Sequence, residues 1–232
     1  MTKELSAATK ELYQAFEKYP FRLTTGSPLT VSEKDKAILH SKPLRLLGDE
    51  ELSRYAFKAM TTWGELNDFK HYLPRIFELA ATRELGVATF VVLGKLDHGE
   101  WKTWEPVEQE TITNFLKAWW SYDINCAPYF DAENFVEIHK KTNDLDGMLQ
   151  QWDLHVASQG FRNYVDFLAV HYQELKGRNK FFKSLKKTEI ETLLQWTVAH
   201  AHKLEEGFFW YDQKEEAFSK TISDTLYMFE RV

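Results

Sequence analysis

Apolar side chains recur at helical spacing along nearly the whole chain, and this limits the fold more than any other feature. Leu5, Leu12 and Phe16, with Ala8 and Ala15, share one face of a helix that Thr2 can cap. Ser32 opens a short helix to His40. Gly48-Asp49 leads into one bearing Leu52, Tyr55, Ala56 and Ala59, which Gly64 is placed to stop. Two helices follow over Leu66–Tyr72 and Pro74–Leu85, because proline suits a first helical turn and breaks an interior. Pro106 starts a long helix to Tyr122, Asp131 caps another, and Leu145–Leu154 and a helix from Ser158 come next. Thr188 with Glu191, and Asp212 with Glu215, have capping-box spacing ahead of two last helices. Val87 to Leu93 fits either a strand or a short buried helix. A lone strand would have no partner, which favours the helix.

Ten glycines and six prolines in 232 residues are too few for the turns of an all-β sandwich or barrel. A 15% aromatic content with mixed charge excludes a disordered chain, and one cysteine, Cys126, excludes a disulfide scaffold. The fold expected is all-α, an irregular helical array or α-solenoid of about ten short helices. It forms a single domain over 1–232, with a loose subdivision near 123–130 as the alternative. Net charge is −6, which disfavours general attraction to nucleic acid or anionic membrane. The N-terminus lacks the apolar core of a signal peptide, and the most apolar stretch, Gly86 to Gly94, is far short of a span. A cytoplasmic location is expected.

The run Leu52-Ser-Arg-Tyr-Ala-Phe-Lys-Ala-Met-Thr-Thr-Trp-Gly-Glu-Leu-Asn-Asp-Phe-Lys-His-Tyr-Leu-Pro-Arg75 resembles a family of uncharacterised bacterial proteins. Val92-Leu-Gly-Lys-Leu96, Trp101-Lys-Thr-Trp104 and Phe115-Leu-Lys-Ala-Trp-Trp120 extend the likeness over residues 12 to 122. It implies an all-α fold and no established activity. Many relatives carry Gly-Cys-Pro-Cys-Cys where this chain has Gly26-Ser-Pro-Leu-Thr30. Leu29 can neither ligate a metal nor form a thiolate, so support for a thiol or metal role of that loop falls away.

Three groups of residues are candidates for function. Asp68, His71 and Arg75 gather an acid, an imidazole and a guanidinium at helical spacing, an arrangement able to move a proton or hold an anion. Capping and surface ion pairs explain the same spacing, and Pro74 would scramble the face. Trp101, Trp104, Trp120 and the cluster Phe208, Trp210 and Tyr211 are candidate interface anchors. Adjacent aromatics on a helix point about 100° apart, so Trp120 and the 208–211 cluster are expected to be exposed. Core filling is the competing account. Residues 176–187 hold six basic residues and no acid, with Phe181 and Phe182, and could contact phosphates and stack bases. A solvated face pinned by its Phe pair explains them equally, and the other 220 residues carry −12.

No nucleophile elbow, phosphate loop or metalloprotease spacing occurs, and His200-Ala-His202 sits two apart, where helical side chains diverge. No metal or cofactor is expected. The leading expectation is a non-enzymatic protein-binding helical protein, most concretely a cytoplasmic immunity protein that neutralises a cognate bacterial toxin. Small acidic helical inhibitors suit basic toxins. The alternatives are an enzyme with an acid/base/anion pocket at Asp68, His71 and Arg75, and a nucleic-acid adaptor led by 176–187.

Overall fold

Side-chain caps start the helices at several of the positions the sequence marks. In a computed structural model describing residues 1–230, Thr2 accepts the Leu5 N–H at 3.2 Å and Asp131 the Asn134 N–H at 3.0 Å. Ser158 likewise accepts the Phe161 N–H at 3.0 Å, and Ser32 exchanges bonds with Asp35 in a capping box. Among the described residues the fold is all-α. The helices of the first half are α1 (Lys3–Phe16), α2 (Glu33–Leu39), α3 (Asp49–Lys58), α4 (Leu66–Ala81), α5 (Thr89–His98) and α6 (Pro106–Cys126). There follow α7 (Ala132–Thr142), α8 (Leu145–Gln150), α9 (Gln159–Asp166), α10 (Tyr172–Lys176), α11 (Lys187–Ala199), α12 (His202–Tyr211) and α13 (Glu216–Glu230). The segment open to two readings, 87–93, enters α5.

Several boundaries differ from expectation for identifiable reasons. Pro74 does not divide a helix pair: α4 runs through it, and Pro74 is buried inside the helix. An interior proline costs about 3 kcal/mol. Burial of Phe69, Tyr72, Leu73, Ile76 and Phe77 on the same helix outweighs that, at about 2 kcal/mol each. Helix α3 ends at Lys58, and Met60, with φ 61°, takes the left-handed turn before Gly64 is reached. Helix α11 is capped at Lys186, two residues ahead of Thr188, with Glu189 accepting the Lys186 N–H at 2.7 Å. The helix expected to run from Ile190 to Leu204 breaks at His200 and Ala201. Asp212 follows the end of α12 rather than capping α13.

The chain divides inside α6 into two compact units, Met1–Trp119 and Trp120–Val232. In the first, α1 packs on α4, and Phe16 meets Trp104 edge-on at 6.1 Å. A charged network lies beneath. Lys70 bonds Glu108 at 2.7 Å and the Tyr19 hydroxyl at 3.0 Å, while Tyr19 donates to Glu108 at 2.5 Å. In the second unit α12 packs on α13, with Tyr211 edge-on to Phe218 at 4.8 Å. Helices α9 and α10 are joined by a π-helical turn, Phe167–His171.

Candidate functional site

Because α4 is unbroken, Asp68, His71 and Arg75 do share one helix, but each serves a different partner. Asp68 accepts the Glu65 N–H at 2.8 Å and so caps its own helix. His71 Nδ1 donates to the Tyr19 carbonyl at 2.8 Å. Arg75 donates through Nε to the Leu47 carbonyl and through its terminal nitrogen to Glu78, both at 2.7 Å. No hydrogen bond or ion pair links the three, so the proton-relay reading has no geometric support. His71 still lines a cleft of about 340 Å³ with His40, Phe21, Leu47 and Tyr72. Trp63 Nε1 donates to Thr24, whose hydroxyl meets His40 Nε2 at 3.2 Å. Burial pushes the His40 imidazole below its ordinary value, against the pull of Asp68. The Tyr72 hydroxyl is buried without a partner.

The tryptophans divide sharply. Trp101, Trp104 and Trp120 are buried, so Trp120 is not exposed as its position beside Trp119 implied. Both rings of that pair are packed: Trp120 donates to the Met148 carbonyl at 2.8 Å, and Trp119 lies edge-on to Phe115 of the same helix, whose ring meets Phe77 of α4 at 5.7 Å. Trp104 lies 4.1 Å from the Lys70 ammonium, a cation–π contact within the core. In α12, Tyr211 is buried and donates to the Val156 carbonyl at 2.9 Å, and Phe208 is half-buried. Trp210 is exposed, with Lys214 over its ring at 3.3 Å, and Phe209 beside it is 78% exposed.

A feature that periodicity reasoning passed over lies between α3 and the start of α5. A groove of about 640 Å³ is lined by Phe57, Val87, Phe90 and Val91, with Arg54 and Lys58 at its edge. Phe57 is 60% and Phe90 55% exposed. The signal was available: both rings fall off the buried stripes of their helices, Leu52–Tyr55–Ala56 and Val92–Leu93–Leu96. A large ring off the stripe has to face outward. Arg54 lies 3.3 Å from Asp35, and Lys58 donates to the Thr30 carbonyl.

The basic segment 176–187 is held by its own surroundings. Lys180 pairs with Glu174, Lys186 with Glu189 at 3.4 Å and Lys187 with Glu191 at 3.7 Å, while Arg178 donates to the Leu185 carbonyl. Phe182 is buried and Phe181 is 40% exposed. These acids offset the positive field on which phosphate binding depends. After α11 ends, His200 and His202 lie with ring centroids 6.4 Å apart. Among the described residues no group of three or more His, Cys, Asp or Glu could hold a metal ion. No described helix is long and apolar enough to cross a membrane. No family model, curated protein or solved structure matches the chain.

Proposed function

We propose that the chain is a non-enzymatic protein-binding protein of the cytoplasm, in its most concrete form an immunity protein that neutralises a bacterial toxin. The α3–α5 groove carries this reading. Two phenylalanine rings held more than half exposed beside valines form a contiguous apolar patch of the kind that marks interaction sites. Covering what remains exposed of each ring would return about 1 kcal/mol. Arg54 and Lys58 at the edge favour a partner segment with a carboxylate beside its apolar side chains. The negative charge gathers elsewhere: residues 1–119 hold 16 Lys and Arg against 17 Asp and Glu, residues 120–232 hold 13 against 18. That field speeds encounter with a basic protein, while the groove supplies the anchor. The bacterial setting rests on the resemblance of residues 12–122.

Co-expression with the products of adjacent genes tests the proposal. One of them should be toxic alone, be neutralised by this chain and co-purify with it. Phe57→Asp with Phe90→Asp should abolish both effects while leaving the helical signal intact. Neutralisation that survives this double substitution would remove the groove from the account, and absence of any toxic neighbour would remove the immunity role.

A further inference from the structure

Thr188, Thr192, Trp196 and His200 stand four residues apart and form one stripe along α11, about 18 Å long. Opposite lies α8. Between them two depressions of about 460 and 250 Å³ meet at Asp146 and Thr192, which line both.

Two of the protons along this cleft are already committed to the protein. Thr192 donates its hydroxyl proton to the Thr188 carbonyl at 3.0 Å, leaving oxygen lone pairs. His200 donates through Nδ1 to the Trp196 carbonyl at 2.8 Å, which leaves Nε2 as an acceptor. His139 is buried, with Nε2 3.2 Å from Glu189 Oε1. In the neutral ring that proton placement makes Nδ1 an acceptor, and Nδ1 has no partner. Burial pushes the Glu189 carboxyl up, but the Lys186 N–H and His139 hold it below the usual range, so it is ionised. None of the described lining residues is Lys or Arg. The Lys186 ammonium, 3.4 Å from Glu189 and 73% exposed, is a surface partner that costs little to displace.

A surface of acceptors and carboxylates needs a ligand that brings N–H donors and positive charge, and the Trp196 indole adds a wall that attracts cations. Two depressions joined at one carboxylate suit two cationic groups on a common backbone. The amides of Asn143 and Gln150, each both donor and acceptor, match peptide groups, which a polyamine lacks. We infer that the α8–α11 cleft binds a peptide segment carrying Arg or Lys side chains. This site is separate from the α3–α5 groove, and purified peptide reads it, so its outcome and that of the toxicity assay are independent.

The test uses the full chain and the capped peptide acetyl-Gly-Arg-Gly-Arg-Gly-amide, followed by tryptophan fluorescence and calorimetry. Saturable binding that weakens with added salt is expected. Asp146→Asn should weaken it about fivefold with the thermal midpoint unchanged, and Asp146→Asn with Glu189→Gln about tenfold or more. The same peptide with citrulline in place of arginine should not bind. No binding at millimolar peptide, or equal binding by the double variant, would overturn the site. Spermidine binding as tightly as the peptide would overturn the peptide assignment.

Discussion

In the first unit the deepest polar contact is ionic: Lys70 meets Glu108 at 2.7 Å, both side chains nearly sealed from water, with Tyr19 bonded to each. In the second unit comparable positions are filled by neutral donors aimed at backbone carbonyls. Asn163 bonds the carbonyls of Ile124 and Ala127, Trp152 that of Gly160, and Tyr164 that of Thr197. The first arrangement depends on proton concentration and on having both partners. The second depends mainly on shape, with ionisable groups at fewer points, such as Asp123 accepting from Asn134 at 3.0 Å and Glu189 beside His139. Burial pushes the Glu108 carboxyl up, yet hydrogen bonds from Lys70, Tyr19 and Lys18 outweigh this and hold it below the usual range.

The largest effect expected follows from breaking the ionic side. Glu108→Ala strands the Lys70 ammonium in the core and should cost about 3–5 kcal/mol in urea unfolding, with amide protection lost first in α1, α4 and the start of α6. The next largest tests shape in the second unit. A Cβ at Gly160 would lie 2.3 Å from the Asp153 carbonyl oxygen, so Gly160→Ala should cost about 2–3 kcal/mol by thermal unfolding. Asn163→Ala leaves two carbonyls without their donor and should cost about 2 kcal/mol, equally at pH 5 and pH 8.

Acid titration separates the units without mutation. Because the folded pKa of Glu108 lies below its unfolded value, its contribution is present above the unfolded value of about 4.5 and is lost as pH falls through the folded one. His40, also lowered, adds an earlier loss as pH falls below about 6.5. The lowered carboxyls of Glu174 and Glu189 in the second unit lose their contributions in the same acid range as Glu108, so the separation rests on the His40 step. Amide exchange should open the first unit before the second as pH falls below about 6.5, and simultaneous opening would dissolve the contrast. The smallest effect is expected at the exposed rings. Phe57→Ser and Phe90→Ser should each change stability by less than about 0.5 kcal/mol. A larger cost would assign the groove to the core of the first unit.

The helical class and many helix starts could be read from the chain because capping is local: Thr2, Ser32, Asp131 and Ser158 each bond a backbone N–H three residues on. Pro74 could not be read, because the burial that overrides its cost involves neighbours distant in sequence. The stop after α11 was hidden for another reason. His200 and His202 bond the carbonyls of Trp196 and Ala199, doing at a helix end what glycine or asparagine more commonly does. Of the aromatic candidates, adjacency predicted exposure for Trp210 and its neighbour Phe209, yet it misplaced Trp120 and Tyr211, both of which are buried and donate to backbone carbonyls. The α3–α5 groove was legible as two rings off their stripes, whereas the α8–α11 cleft needed the positions of protons, which spacing does not give.

The boundary between the units falls within α6, between Trp119 and Trp120. A gene cut there would leave the second half starting with the stub Trp120 to Cys126, far below the roughly 12–15 residues an isolated helix needs to persist. The stub also carries the indole that bonds Met148. The two halves are thus poor material for shuffling: recombination would have to move α6 whole, and a lineage that lost either half would lose part of the other.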